Sequence, residues 1–72
     1  FRKEITIVNQ QLNDLSKTEF EILELLAKGY LYKEIAEIKQ VTIDTIKKHV
    51  SNIYKKLHVN NKVEAINILK NL

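Results

Sequence analysis

The sequence contains no proline and a single glycine, Gly29. Because these are the residues that most often interrupt regular structure, their scarcity predicts helices joined by short turns. The chain also lacks cysteine, so neither a disulfide nor a thiolate-bound metal ion can support the fold. Its stability must come from a core built mainly of Ile, Leu and Val, and 72 residues suffice for one such domain. We therefore expect a single all-α domain.

The first clear helix is predicted to begin at Ser16. Ser16 and Glu19 have the spacing of a capping box, in which the hydroxyl accepts from the Glu19 amide and the carboxylate accepts from the Ser16 amide. Leu15 and Phe20 are placed as a hydrophobic staple around this start, and Gly29 supplies a left-handed residue at the end. The inward stripe is predicted to contain Phe20, Leu23, Leu26 and Ala27, widened by Ile22 and Leu25.

A short second helix is predicted over about residues 31–38, followed by a tight turn at Lys39–Val41. Its expected buried residues are Leu31, Ile35, Ala36 and Ile38. A third helix, over residues 43–57, is predicted to be capped by Thr42, with Asp44 in its first turn where the helix dipole favours a negative charge. The apolar residues that recur on one face of this helix are Ile43, Ile46, Val50, Ile53, Tyr54 and Leu57.

A fourth helix is predicted over about residues 62–71, because Asn61 and Glu64 form another capping-box pattern. Apolar side chains occupy more than half of its circumference: Val63, Ala65, Ile66, Ile68, Leu69 and Leu72. One face is needed to close the bundle. The remainder is predicted to be apolar surface that a monomer would leave exposed to water.

Residues 1–14 have no single interpretation. Apolar residues from Ile5 to Leu15 fall at helical spacing, but the stretch 5–8 also has strand propensity. We expect a linker from an upstream domain, partly helical at its end. The chain starts at Phe1 and has no methionine, which predicts a piece of a longer protein.

Charge is distributed unevenly along the chain. Residues 1–38 carry five basic and seven acidic side chains, whereas residues 39–72 carry seven basic and two acidic ones. The outer face of the third helix is predicted to mix lysines, hydroxyls and an amide with one carboxylate: Thr42, Asp44, Thr45, Lys47, Lys48, Ser51, Asn52 and Lys55. This mixture suits a helix in the major groove of DNA, although a solvated, lysine-rich surface shares part of it.

From Leu15 to Ile66 the chain resembles, without a gap, the LuxR-type (GerE-like) helix-turn-helix domain. The matching stretches are Leu15-Ser16 with Glu19, residues 22–29, residues 33–36, residues 45–50, Ile53, Lys56-Leu57, Val59 and Glu64-Ala65. The resemblance implies a four-helix domain whose third helix enters the major groove of duplex DNA and whose fourth helix forms a homodimer.

The resemblance also implies roles for individual residues. By analogy, the base contacts are expected from Lys47, Lys48 and Ser51. Contacts to the DNA backbone are expected from Lys33, Thr42, Thr45, Asn52 and Lys55. The dimer interface is expected to contain Val63, Ile66, Ile68 and Leu69. The resemblance further implies the output part of a cytoplasmic, nucleoid-associated bacterial transcription regulator, with RNA polymerase as a further partner and no cofactor. In the family the upstream part is usually the receiver domain of a two-component response regulator or a small-molecule sensor.

Three departures from the family pattern affect the second helix. Leu31 stands where the family usually has serine, so Leu31 and Glu34 cannot form a capping box, a loss of about 1 kcal/mol. Tyr32 replaces the usual asparagine and offers a hydroxyl to phosphate. Lys39 replaces a core leucine, so either its stem covers the edge of the bundle or Ile38 has taken over the packing.

Other classes of function compete with DNA binding. A helical protein-interaction module that docks a partner through the fourth helix would depend on Val63, Ile68 and Leu72, and would not depend on Lys47 or Lys48. An enzyme is the weakest hypothesis, because no nucleophile–base pair is recognisable. The two histidines are expected to pack or cap, with no metal site, and no apolar run approaches the roughly 18 residues that span a membrane.

Overall fold

The computed structural model describes residues 12–71 of the chain. Residues 17–70 contain four α-helices: α1 (Lys17–Ala27), α2 (Tyr32–Lys39), α3 (Ile43–Leu57) and α4 (Lys62–Lys70). No β-strand occurs within the described residues, and the all-α fold predicted from the sequence is confirmed. α1 packs against α3 and α4, and α2 packs mainly against α3, so that α3 contacts the other three helices.

One hydrophobic core joins the helices. Its buried members are Leu12, Leu15, Ile22, Leu23, Leu26, Ile35, Ala36, Ile46, Val50, Ile53, Leu57 and Ala65. Leu12 falls at the end of the predicted linker, where partial helix was expected; it is helical and only 6% exposed. Residues 1–11, the rest of that segment, lie outside the described residues. The packed unit therefore extends at least as far back as Leu12.

Both ends of α1 follow the local signals in the sequence. The Glu19 amide donates to Ser16 Oγ at 3.1 Å, and the Ser16 amide donates to Glu19 Oε1 at 2.9 Å, so the predicted capping box is confirmed. Gly29 has φ of +94°, the left-handed region predicted for it. The Tyr30 amide then reaches back to the Leu25 carbonyl at 3.1 Å, which closes the helix end as a Schellman motif.

α2 begins one residue later than predicted and buries fewer side chains. Leu31 precedes the helix in extended conformation and is 65% exposed, and Ile38 is 51% exposed, so the predicted burial of both is wrong. Ile35 and Ala36 do lie in the core. Because successive helical residues are rotated by about 100°, Ile38 falls well to one side of the face that these two residues define.

Lys39 lies on the core-facing side of α2, four residues after Ile35 and three after Ala36. Its side chain is partly buried, and its ammonium nitrogen lies 2.6 Å from Glu21 Oε1 on α1. The lysine stem therefore covers the edge of the bundle while its charged end is neutralised there. The alternative, in which Ile38 takes over the packing, is wrong.

The turns that flank α3 both use a left-handed residue that is not glycine. Gln40 has φ of +58° and His58 has φ of +57°. The Val41 amide donates to the Ala36 carbonyl at 3.0 Å, which closes α2 as the glycine-ended motif closes α1. These compact ends keep the connection between α2 and α3 to the three residues 40–42.

The buried side of α3 agrees with the predicted stripe except at its start. Ile46, Val50, Ile53 and Leu57 are at most 3% exposed. Ile43, which the sequence assigns to the same stripe, is 40% exposed because it is the first residue of the helix, at the rim of the bundle.

α4 is capped by Asn61, whose Oδ1 accepts from the Glu64 amide at 3.0 Å. The reciprocal bond differs from a standard capping box, because Glu64 Oε1 accepts from the amide of Asn60 at 3.0 Å. Ala65 is fully buried, whereas Val63 is 65% exposed. The other residues expected at a dimer interface are half-buried against the core: Ile66, Ile68 and Leu69.

Candidate nucleic-acid interface

The surface of α3 opposite its buried side is a continuous row of polar side chains. Since the helix turns by about 100° per residue, the row furthest from the core contains Asp44, Lys48, Ser51 and Lys55. All four are exposed, and we call them the outer ridge. Eleven helical steps separate its ends, a length of about 16 Å.

The structure brings the three predicted base-contacting residues together on this helix. Lys48 and Ser51 belong to the outer ridge, and Lys47 is exposed on one flank of it. Thr45 and Asn52 lie on the opposite flank and are half-buried. Lys33 is exposed on α2 and therefore lies on a different helix from the rest of the predicted set.

Thr42 combines a structural and an accessible role at the start of α3. Its Oγ1 accepts from the Thr45 amide at 3.2 Å and lies 3.0 Å from the Thr45 hydroxyl. This cap satisfies one of the free amides of the first turn and leaves the others, with the positive end of the helix dipole, facing solvent. The start of α3 is therefore suited to an anion such as phosphate.

The lysines of this surface are not neutralised by the domain itself. Within residues 12–71 the ion pairs are Lys39 with Glu21 and Lys56 with Glu19. None of the predicted contact lysines takes part in them: Lys33, Lys47, Lys48 and Lys55. Their charge remains available to a polyanion.

A buried carboxylate fixes the C-terminal half of α3 from behind. Glu19 is 5% exposed, and its Oε1 accepts from both the Ser16 amide and the Lys56 ammonium group, the latter at 2.6 Å. Burial alone would raise the pKa of Glu19, but Lys56 and Ser16 together hold that pKa below its ordinary value. The α1 cap and the α3 lysine are thus joined through one carboxyl group.

Sequence reasoning recognised Glu19 as a cap but missed its bond to Lys56. The two residues are 37 positions apart, so no local spacing signals the pair. The signal in the sequence was the position of Lys56, which directly precedes the buried Leu57 and therefore does not lie on the outer ridge.

A pair of tyrosines joins α2 to α3. Tyr32 and Tyr54 are both half-buried against the core. Burial, followed by the hydrogen bond to the Tyr32 hydroxyl, raises the pKa of Tyr54 to about 12. The Tyr32 oxygen therefore accepts from Tyr54, and the O–H of Tyr32, which the sequence offers to phosphate, is not used in that bond.

Clusters of metal-ligating side chains and helices that could span a membrane are both absent from the described residues. Among residues 12–71, no three His, Asp or Glu side chains come close enough to hold a metal ion. The helices in the same range are all too short or too polar to cross a bilayer.

A short helix, a three-residue turn and a longer helix with an exposed cationic surface together define a helix-turn-helix DNA-binding domain. Comparison with known families agrees with this class. Residues 13–69 match the bacterial regulatory proteins of the luxR family, and the chain belongs to that family. It is accordingly a DNA-binding domain of a transcription regulator.

Similar proteins come from staphylococci. The chain is 50% identical over 52 residues to proteins described as "Response regulator protein VraR" from Staphylococcus aureus, Staphylococcus saprophyticus and Staphylococcus epidermidis. The match includes 72% of this chain and 25% of each relative, so the chain spans about a quarter of their length. No solved structure matches significantly.

Proposed function

We propose that this domain binds duplex DNA in a sequence-dependent manner, with α3 in the major groove, as the output domain of a two-component response regulator. The observation that carries the proposal is the outer ridge with its flanking Lys47: an exposed, mostly cationic row on the helix that follows the turn. The similarity to response regulators of staphylococci supports the place of the domain in a longer protein.

The dimensions of α3 fit the groove. An α-helix with its side chains is about 10–12 Å wide, and the major groove of B-DNA is about 12 Å wide. Because α1 and α4 pack on the inner side of α3, they lie behind it and leave the ridge clear for approach. The helix can therefore enter the groove with little rearrangement of the bundle.

The side chains divide into two proposed roles. Lys47, Lys48 and Ser51 contact base edges, where lysine can donate to the acceptors of guanine and serine can donate or accept. The other residues hold the backbone of the DNA: Lys33, Thr42, Thr45, Asn52 and Lys55. Backbone contacts set register and orientation, whereas base contacts give sequence preference.

We further propose that two copies pair through α4 on DNA. Val63 is largely exposed, and the half-buried Ile66 lies three residues further along on the same side of the helix, so an apolar strip remains after the bundle has closed. Covering this surface with a second α4 would place two recognition helices on one duplex with two-fold symmetry.

Binding to fluorescently labelled duplexes at several salt concentrations tests the proposal. We expect log affinity to fall linearly with log salt, because lysines displace counterions from phosphates. Lys48→Ala should alter the preference among sites selected from a random duplex pool, whereas Lys55→Ala should weaken all sites alike.

Lys17→Ala is the matched control for these variants. Lys17 is exposed, but it lies on α1, which packs against the inner side of α3. Its loss removes the same charge without touching the ridge, so binding should change little. If Lys47→Ala and Lys48→Ala bind as the wild type does while Val63→Glu abolishes a protein interaction, the domain is a docking module and the proposal is wrong.

A further inference from the structure

Asp44 is a negative charge at the N-terminal end of the outer ridge, on the surface proposed to meet a polyanion. It is exposed, it is the only acidic residue of α3, and it belongs to the outer ridge one turn before Lys48. Within residues 12–71 no lysine or histidine lies within ion-pair distance of it. Thr42 already caps the helix, so Asp44 is not needed as the cap.

The positive end of the helix dipole stabilises the Asp44 carboxylate in the free domain. It does not explain which groups the carboxylate would contact when the helix lies in the major groove. In the major groove a carboxylate meets mostly acceptors: phosphate oxygens, guanine O6 and N7, and thymine O4. Each of these repels Asp44 after water has been removed. The donors available to it are the amino groups of cytosine N4 and adenine N6.

Cytosine is the better partner of the two. The adenine amino group lies beside the acceptor N7, which repels the second carboxylate oxygen, whereas the cytosine amino group lies beside a C–H group. Helical side chains lean towards the N-terminus, so Lys48 reaches back towards Asp44. The lysine can then donate to the guanine of the same or the neighbouring base pair.

We propose that Asp44 is a specificity-determining residue, which selects a cytosine in the bound site by accepting a hydrogen bond from its N4 amino group. The inference rests on the proposed function and deepens it, because it assigns a base to a residue outside the predicted contact set. Asp44 thereby turns a repulsive charge into discrimination against the three other bases.

The test starts from the 72-residue chain and a duplex site selected from a random pool. Each position of that site is replaced by all four base pairs, and affinities are measured for wild type, Asp44→Asn, Asp44→Ala and Glu24→Gln. Wild type should prefer cytosine at one position by about tenfold. Asp44→Asn should move that preference to adenine, whose N6 and N7 suit an amide, and Asp44→Ala should abolish it.

Glu24→Gln is the matched control because Glu24 is exposed on α1, behind α3, and its loss changes the net charge equally. It should keep the cytosine preference. If Asp44→Asn and Asp44→Ala change the affinity for all four bases by one common factor, Asp44 acts only by charge and the inference is wrong. Failure of the proposed function looks different: wild type would then show no sequence preference at any position.

Discussion

α1 and α2 are neighbouring helices that differ in how their ends are capped and in how much they bury. α1 begins with a complete capping box, ends at a glycine and buries Ile22 and Leu23 completely. α2 has eight residues, begins at Leu31 without a side-chain cap and ends at the left-handed Gln40. α1 is thus stabilised locally, whereas α2 depends on its contacts with α3.

The two ion pairs of α1 also differ: one joins it to α3 and the other joins it to α2. Glu19 of α1 is almost fully buried, and its bond to Lys56 fixes α3. Glu21, paired with Lys39 of α2, keeps 41% of its side chain exposed, and Lys39 holds the pKa of Glu21 below its ordinary value. Exposed pairs contribute little, so the pair that joins α1 to α3 is the stronger link and the pair that joins α1 to α2 is the weaker one.

The largest expected difference between α1 and α2 is in the free energy of unfolding that is lost when one leucine of each is truncated. Leu23 of α1 is fully buried and Leu31 at the start of α2 is 65% exposed. Leu23→Ala should lower the free energy of unfolding by about 3 kcal/mol, because it removes buried methyl groups and leaves a cavity. Leu31→Ala should change it by less than about 0.5 kcal/mol. Urea unfolding followed by circular dichroism measures both, and equal losses would contradict the contrast.

Signals between residues a few positions apart predicted most of the fold. The spacing of Ser16 with Glu19, the single Gly29 and the cap at Thr42 each specify backbone hydrogen bonds within one turn, and the structure contains them. The periodicity of α3 likewise predicted its buried side, because a helix that contacts three others must be apolar along one stripe.

The features that the sequence did not predict depend on distant partners. Lys39 and Glu21 are 18 residues apart, and Tyr32 meets Tyr54 across two helices. Burial of single apolar residues was also overestimated at helix ends. At Leu31, hydrophobicity alone cannot tell whether a neighbouring helix covers the side chain.

The Glu19–Lys56 pair predicts a dependence of stability on pH. Glutamine can still accept from the Ser16 amide but cannot neutralise Lys56, so Glu19→Gln should cost about 1 kcal/mol at pH 7, a modest loss because Lys56 is 41% exposed. The pKa of Glu19 is lower in the folded chain than its ordinary value of 4.5, so the folded state favours the charged carboxylate. The stabilisation is complete above that value and is lost as the pH falls through the folded-state pKa.

Unfolding of wild type and Glu19→Gln from pH 7 down to pH 3 checks this expectation. The difference in the free energy of unfolding between the two proteins should become smaller below about pH 4.5. Glu21→Gln, which removes the more exposed pair with Lys39, is the matched variant and should have a smaller effect at every pH. If the free energies of unfolding of wild type and Glu19→Gln differ by the same amount at every pH, the pair with Lys56 does not stabilise the fold.

The smallest expected effect comes from a substitution that gives α2 a side-chain cap like that of α1. The Leu31 amide already donates to Glu34 Oε1 at 2.8 Å, so half of a capping box is present. Leu31→Ser adds a hydroxyl that can accept from the Glu34 amide, and it sacrifices little burial. It should raise the free energy of unfolding by about 0.5–1 kcal/mol relative to Leu31→Ala, which shortens the side chain without adding an acceptor. Amide hydrogen exchange should slow in the first turn of α2. Unchanged exchange there would mean that contacts with α3, and not the missing cap, limit the stability of this helix.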